Sequence, residues 1–210
     1  DLEIMTPRDF VQQPKRWIDQ LKRQPIDEQL QGTYAVVPNF ALELAARYGA
    51  PAAGEEVDFS NVDGIVIGSE PVTESAVNSF WETFGKEEYG LRRETLRPSY
   101  GMAEASLIVT TPQTLERPII SHFDRERLAE GEAVIVEKSA DSVAYASCGQ
   151  SVVAQHLTIV DPETKVELPD GRVGEIWLHG ENRAAGYLDR AEETASTFHN
   201  TLGERLAEGT

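Results

Sequence analysis

An apolar run, Ile65-Val66-Ile67, is the sequence feature that most constrains the fold of this chain. Unbroken runs of this kind are typical of strands covered on both faces in a parallel sheet, so we expect a strand over 62–68. The turn Ser69-Glu70-Pro71 follows, and a helix is predicted over 73–84. Its apolar residues recur at i, i+3, i+4 and i+7, as on one face of a helix: Val77, Phe80, Trp81 and Phe84. A strand, a turn and a helix in this order predict an α/β fold, in which ligands bind beyond the carboxyl ends of the strands.

A second such turn is predicted after the strand 96–99. Pro98 lacks an N–H and biases Arg97 towards an extended backbone, so the strand should end there. Gly101 allows a tight turn and a close approach of a ligand to the main chain. The ring of Tyr100 could cover a purine, and Glu104 could hold Mg²⁺, which prefers oxygen ligands. On spacing alone, a half-buried tyrosine and a solvated glutamate in a loop are the preferred interpretation of these residues.

The first half of the chain carries two further predicted units. A helix begins at Pro14 and places Trp17, Ile18 and Leu21 on one face, with Trp17 interpreted as a core anchor. A buried strand over 34–37 leads through Asn39, a candidate N-cap, into a helix over 41–48 that ends at Gly49.

Composition limits the classes of function. The chain has 210 residues, with 36 acidic against 19 basic side chains, a net charge of −17 and a pI near 4.6. That charge argues against a nucleic-acid partner, which needs a basic surface. Cys148 is the only cysteine, so no intrachain disulfide is possible; we interpret it as structural and expect a reducing compartment. No apolar run approaches the roughly 20 residues needed to span a bilayer, so we predict a cytoplasmic protein that is not integral to a membrane.

The second half of the chain is predicted to be mainly β. Short strands over 157–160, 166–168 and 173–178, with a Pro-Asp-Gly turn at 169–171, suggest a small barrel or sandwich. The charged stretch 112–146 has little pattern and fits either a functional excursion or a tolerated surface insertion. We therefore divide the chain into four segments: 1–111, an α/β portion; 112–146, the excursion; 147–188, a barrel-like subdomain; and 189–210, the start of a helical segment.

These features together resemble a known family. Residues 99–104, Ser-Tyr-Gly-Met-Ala-Glu, resemble the Tyr-Gly-x-(Thr/Ala)-Glu motif of the adenylate-forming superfamily, and the Ala-Glu-Ala form resembles its fatty-acyl-AMP ligase branch. Residues 68–72 and the Gly-Glu element at 174–180, followed by Gly186-Tyr187, match the family pattern in the same order. The residues Trp177 to Gly180, Thr197-Phe198 and Ala207 to Gly209 are most similar to the long-chain ligases of the actinobacterial mycolic acid pathway.

The resemblance implies site roles. ATP and Mg²⁺ would be the cofactors, with Glu104 as the catalytic and metal-binding residue. The cofactor-binding residues would be Ser69, Glu70, Pro71, Ser99, Tyr100, Gly101, Met102, Ala103 and Glu104. The residues beside the acyl chain would be Phe40, Gly68, Gly101 and Met102. For Glu70 a solvated turn residue, and for residues 38–40 a simple helix cap, remain the alternatives. For Glu175 and His179 we expect a structural role.

The resemblance also implies a reaction and its partners. A long-chain fatty acid would be activated to acyl-AMP and passed to an acyl carrier protein or a polyketide synthase. The stretch 112–146 would correspond to the insertion that distinguishes these ligases from acyl-CoA ligases. The chain would be a central fragment of the enzyme, inactive alone, with the phosphate loop before residue 1 and the ribose-binding Asp and catalytic Lys after residue 210. An acyl-CoA ligase and a non-catalytic nucleotide- or lipid-binding module are the alternatives.

Overall fold

A computed structural model describes residues 2–22, 32–113, 116–152 and 155–206. Ala207, Glu208 and Gly209, which carried part of the resemblance, lie outside the described residues. The chain forms two compact units: the first comprises residues 1–100, 111–120 and 145–149, and the second comprises residues 101–110, 121–144 and 150–210. The four-segment division made from the sequence stays a prediction.

The first unit is an α/β layer, as the sequence predicts. Its elements follow in chain order: α1 Pro7–Gln12, α2 Lys15–Leu21, β1 Thr33–Pro38, α3 Asn39–Tyr48, β2 Val62–Gly68, α4 Glu74–Phe84 and β3 Leu96–Pro98. The strands form a parallel sheet in the order β1-β2-β3, in which Val37 pairs with Ile67 and Ile67 with Pro98. The carboxyl ends of all three strands therefore meet at one edge of the sheet.

One apolar core holds the first unit together. Three residues of the predicted helical face of α4, Val77, Phe80 and Phe84, are almost inaccessible to solvent, and the rings of Phe80 and Phe84 are 4.7 Å apart. The fourth, Trp81, is only partly buried against this core. Trp17 lies 5.9 Å from the Phe80 ring, which confirms its role as a core anchor. Ile65 in β2 is also fully buried. Burial of each such side chain contributes about 1.5–3 kcal/mol, so this core fixes the sheet edge beside it.

One helix of the first unit, α3, has a different N-cap from the one predicted. Thr73 caps α4 by accepting a hydrogen bond from Ala76 N, as a threonine N-cap should. Asn39 is not an N-cap: it is the first residue of α3, and the N-cap is Pro38. The Asn39 side chain is buried and instead accepts a hydrogen bond from Thr73 N (3.0 Å). An N-cap motif cannot reveal this because the partner lies 34 residues away.

A cluster of charges ties α2 to the loop before β2. The Lys15 ammonium lies 2.6 Å from Asp19 Oδ1 and 2.8 Å from Glu55 Oε1, and Lys22 contacts the same two carboxylates. Both ammonium groups donate to Glu55, which lowers the pKa of that carboxyl to about 2. Hydrogen bonds to Asp19 and Glu55 raise the pKa of Lys15 above its ordinary value. The helix and the loop are thus joined by fully ionised groups at neutral pH.

The second unit is built mainly from short strands. The remaining elements, which lie mainly in the second unit, are β4 Tyr100–Gly101, β5 Ile108–Thr111, β6 Ile120–Asp124, α5 Arg125–Ala129, β7 Ile135–Val136, β8 Ser142–Ala146, β9 Gln150–Ser151, β10 Gln155–Val160, β11 Glu175–Gly180 and α6 Ala191–Phe198. Tyr100, Thr111, Ile120 and residues 145–146, at the ends of four of these strands, belong to the first unit. The strands form a β4-β5-β9 sheet, a β7-β6-β8 sheet and the antiparallel β10-β11 pair. The stretch 112–146, whose sequence has little pattern, therefore contains an ordered sheet and a helix.

The predicted barrel-like subdomain is corrected by the structure. No closed barrel is formed by the described part of the chain; the strands β10 and β11 make an open two-stranded pair. The region predicted as a strand over 166–168 contributes only isolated bridges, from Glu167 to Val160 and from Val166 to Glu204. The Pro-Asp-Gly turn is confirmed, because Arg172 N donates to Pro169 O and Gly171 has φ 82°. The even spacing of short strands predicted β structure correctly, but it could not predict whether the strands close into a barrel.

In the residues described, no helix combines the length and the apolar character needed to cross a membrane.

Candidate functional site

The carboxyl edge of the parallel sheet carries most of the predicted ligand-binding residues. Phe40 follows β1; Gly68 ends β2 and is followed by Ser69, Glu70 and Pro71; Ser99 and Tyr100 follow β3. Ser99 N donates to Ile67 O (2.8 Å), and a Cβ on Gly68 would lie 3.1 Å from Ser99 O. The second and third turns are therefore in direct contact through their main chains. The fold brings these residues together, as the sequence predicts for neighbouring strand ends.

The turn after β2 is linked to the turn after β1. Glu70 Oε1 accepts a hydrogen bond from Phe40 N at 2.6 Å, at the second residue of α3. A carboxylate at a helix N-terminus satisfies an amide that has no partner in the helix and is stabilised by the helix dipole. The Glu70 side chain is thus hydrogen-bonded within the protein. This turn therefore offers a ligand mainly its main-chain atoms. Ser69 has a positive φ of 64°, which is uncommon outside glycine and typical of turns held by their surroundings.

The residues at this edge differ in exposure. Phe40 and Tyr100 expose 39% and 36% of their surfaces, so each residue is partly open to solvent. Ser99 is buried, and its hydroxyl lies 2.9 Å from Thr111 Oγ1 and 3.0 Å from Arg97 O. The ring of Phe40 also packs at 6.2 Å against Phe10. The edge therefore offers two partly open aromatic rings beside a main-chain turn.

In the second unit, the rest of the motif forms a closed turn. Met102 N donates to Leu107 O (2.8 Å), and Ala103–Ala105 form one turn of 3₁₀ helix. A Cβ at Gly101 would lie 2.1 Å from Leu107 O, so only glycine fits there. Ala105 is buried beneath the turn, whereas Glu104 is half-buried. The predicted tight turn is present, and it presents a carboxylate at its surface.

Glu104 is held by a residue to which sequence analysis gave no role. Tyr187 donates a hydrogen bond from its hydroxyl to Glu104 Oε1. This bond lowers the pKa of Glu104 and raises the pKa of Tyr187, because the phenol stabilises the ionised carboxylate. Gly186-Tyr187 was recognised only as part of a family pattern. No sequence signal joins two residues 83 positions apart.

Glu104 is chemically suited to a magnesium ion. Mg²⁺ in nucleotide sites is usually bound by one or two carboxylates together with substrate phosphates, so one ionised, half-buried carboxylate fits. The described residues contain no cluster of three or more His, Cys, Asp or Glu side chains that could hold a metal. A metal site made of protein groups alone is therefore not present among them. Cys148 is partly buried and burial raises the pKa of its thiol, as expected of a structural cysteine.

Comparison with protein-family models decides the assignment. The model described as AMP-binding enzyme matches residues 3–188. This chain belongs to the AMP-binding enzyme family. Enzymes of this family form adenylates from ATP, which agrees with the motif around Tyr100 and Glu104.

Curated relatives of this AMP-binding chain carry two kinds of name. It is 46% identical over 207 residues to the long-chain-fatty-acid–AMP ligase FadD32 of Mycobacterium marinum, covering 98% of the chain and 32% of the relative. It is 36% identical over 201 residues to the putative fatty-acid–CoA ligase fadD25 of Mycobacterium tuberculosis, covering 95% of the chain and again 32% of the relative. The chain thus spans about a third of the length of the curated relatives it matches.

A solved structure agrees with the fold of this AMP-binding chain. The fatty acyl-adenylate ligase from Legionella pneumophila, crystallised with acyl adenylate and pyrophosphate, superposes with a TM-score of 0.79. The two are 29% identical in sequence, and the match covers 91% of this chain and 32% of that structure. The α/β class predicted from the sequence is therefore confirmed, as is its match to part of a fatty acyl-adenylate ligase.

Proposed function

We propose that this chain is part of a ligase that activates a long-chain fatty acid with ATP to acyl-AMP and pyrophosphate. The observation that carries the proposal is the 46% identity to a relative named as a long-chain-fatty-acid–AMP ligase, along nearly the whole chain. In the reaction, a carboxylate oxygen of the acid attacks the α-phosphorus of ATP. The bond from that phosphorus to the oxygen bridging to the β-phosphate breaks, and pyrophosphate leaves.

The residues proposed to bind the nucleotide belong to the edge of the parallel sheet in the first unit and to the motif turn in the second. Tyr100, which is partly exposed, stacks on the adenine. The main chain of Ser69, Glu70 and Pro71 frames the base, and that turn is fixed by the bond from Phe40 N to Glu70. Ser99 and Ala103 contribute through their backbones, since the Ser99 hydroxyl is engaged with Thr111. The turns are thereby fixed before ATP binds.

Phosphate charge is the main obstacle to this reaction. Mg²⁺, when bound, would neutralise charge on the phosphates as it develops in the transition state. Glu104 is the residue that would hold it, because it presents an ionised carboxylate at the surface of the motif turn. Phe40, Gly68, Gly101 and Met102 border the acyl chain in this proposal.

In a second step, the acyl group passes to the phosphopantetheine thiol of an acyl carrier protein or a polyketide synthase. The thiol sulfur attacks the acyl carbonyl, the bond to the phosphate oxygen breaks and AMP leaves. The segment 112–146 supports a carrier as acceptor, because it resembles the insertion found in fatty-acyl-AMP ligases and folds into an ordered sheet with α5. The 36% identity to a relative named as a fatty-acid–CoA ligase favours CoA as the alternative acceptor.

The test is fatty-acid-dependent pyrophosphate release by the full-length ligase, with no acceptor, with CoA and with a holo acyl carrier protein. We expect acyl-AMP in all three reactions and transfer only to the carrier. A CoA thioester would assign the protein to the acyl-CoA ligases. Binding of nucleotide without any turnover would leave a non-catalytic module and contradict the proposal. The 210-residue polypeptide alone should form no adenylate, since the phosphate loop and catalytic lysine of the family have no counterpart in its sequence.

A further inference from the structure

The motif turn that carries Glu104 is hydrogen-bonded to the segment 182–187 at three successive residues, 104, 105 and 106. Ala184 N donates to Glu104 O (2.8 Å). Asn182 Nδ2 donates to Ala105 O (3.1 Å), and Ser106 Oγ donates to Asn182 O (2.8 Å). At the end of the segment, Tyr187 donates to the Glu104 carboxylate itself. The first three contacts hold the turn in place, whereas the last holds the side chain that is proposed to bind the metal.

Tyr187 is itself held in place by α6. Its ring packs edge-on against Phe198 at 5.3 Å, and its N–H donates to Thr194 Oγ1 (2.9 Å). Gly186 has φ 146°, and a Cβ there would lie 2.4 Å from Thr194 Cγ2. Glycine at this position lets the chain approach α6 closely enough to make the Tyr187 contacts. The hydroxyl therefore reaches Glu104 from a fixed support on a different element.

A carboxylate that binds a cation through one oxygen can rotate about its side chain unless the other oxygen has a partner. Metal-binding carboxylates are commonly hydrogen-bonded in this way, and loss of such a partner typically costs 10–100-fold in metal affinity or activity. The phenol of Tyr187 donates its hydrogen bond to Oε1 of Glu104. We propose that Tyr187 is a positioning residue, whose hydroxyl orients the Glu104 carboxylate so that its remaining lone pairs face the magnesium ion of ATP. This inference rests on the proposed function, because it assumes that Glu104 is the metal ligand.

The test separates a positioning role from simple stabilisation of the turn. In the full-length ligase, the affinity for a non-hydrolysable ATP analogue is measured by calorimetry with saturating Mg²⁺ and with EDTA. The ratio of the two affinities is the gain due to Mg²⁺. For Tyr187→Phe we expect this gain to fall about tenfold or more, while the affinity in EDTA stays unchanged. The ring is retained, so its packing on Phe198 is preserved.

Matched variants make the result specific. Tyr48→Phe, at an exposed tyrosine at the end of α3, should leave both affinities unchanged. Glu104→Gln should remove the gain, and adding Tyr187→Phe to it should have no further effect, as expected for two residues that act together. Should Tyr187→Phe fail to fold, Phe198→Leu, which keeps the hydroxyl but removes the support of its ring, should lower the gain in the same direction.

Two results would overturn the inference. An equal loss of affinity with and without Mg²⁺ would show that Tyr187 only stabilises the turn. If folded Tyr187→Phe keeps the wild-type gain in affinity due to Mg²⁺, Glu104 does not need the Tyr187 hydroxyl as a partner. These outcomes are independent of the acyl-AMP assay: a ligase that forms acyl-AMP but has a normal gain in the variant contradicts only the positioning role. Absence of acyl-AMP from the wild-type ligase contradicts the proposed function.

Discussion

Glu70 accepts a hydrogen bond from the main-chain N–H of Phe40, so the turn after β2 caps the helix that follows β1. Together with the bond from Thr73 N to Asn39, this contact joins two of the three turns at the proposed nucleotide site. Neither bond involves residues adjacent in sequence. The shape of the site therefore depends on hydrogen bonds by which polar side chains join different secondary-structure elements.

Removal of the Glu70 carboxylate should weaken this junction. Glu70→Ala leaves the Phe40 amide at the start of α3 without its partner, and loss of a helix cap costs about 1 kcal/mol. We expect a lower thermal midpoint of the protein and a weaker affinity for ATP, since the turn that frames the base is loosened. Glu43→Ala, at an exposed glutamate of the same helix, should change neither quantity. Equal thermal midpoints for Glu70→Ala and Glu43→Ala would show that the hydrogen bond from Phe40 to Glu70 does not stabilise the fold.

Loss of the Glu104 charge should affect chemistry rather than folding. Glu104→Gln keeps the size of the side chain but removes the ionised oxygen, and a bound metal contributes several kcal/mol to the transition state. We expect the rate of acyl-AMP formation in the full-length ligase to fall by at least ~100-fold, at an unchanged thermal midpoint. Glu175→Gln serves as the control, because Glu175 is bound to Trp177 within β11 and we assign it no catalytic role. Full activity of Glu104→Gln would contradict the assigned metal ligand.

A methyl group at Gly101 should disrupt the motif turn. Its Cβ would lie 2.1 Å from Leu107 O, a backbone atom that cannot move without breaking the bond to Met102 N. Such overpacking typically costs 1–3 kcal/mol, so Gly101→Ala should lower the thermal midpoint by several degrees and reduce adenylation. At Gly203 a Cβ meets its nearest neighbour at an ordinary 3.4 Å, so Gly203→Ala should be tolerated. A Gly101→Ala protein as stable as wild type would show that the turn is looser than described.

Acid should release the charge cluster around Glu55. Its folded-state pKa of about 2 lies below the ordinary value of 4.5, so the cluster stabilises the fold fully above pH 4.5 and loses this contribution as pH falls towards 2. We expect the difference in thermal midpoint between wild type and Glu55→Gln to be present at pH 7 and to shrink between pH 4.5 and pH 2. Differential scanning calorimetry across this range measures it. A difference that does not change with pH would mean that Glu55 acts through packing and not through charge.

Sequence patterns predicted local structure well wherever one face of an element is buried. The run Ile65-Val66-Ile67 gave β2, and the spacing of Val77, Phe80 and Phe84 gave α4, because burial requires those side chains to share a face. The helix containing Trp17 was found in the same way. The strand over 34–37 is present as β1, but the prediction that it is buried is wrong, because Tyr34 and Val36 are 66% and 78% exposed on one face of the strand. Short strands in the second unit were less well predicted. Their pairing depends on partners far along the chain, and their sequences have no continuous apolar face.

The amino-acid sequence by itself determined the family motif, the order of the α/β elements and the need for glycine at position 101. It also placed Glu104 in a turn, because the motif is a run of adjacent residues whose backbone preferences are local. Only the tertiary structure decided that Glu70 caps α3, that Asn39 binds Thr73 and that Tyr187 holds Glu104. Each of these contacts joins residues at least 30 positions apart. A hydrogen bond at that separation forms only when packing of the apolar core has brought the two elements together, and no local pattern encodes it.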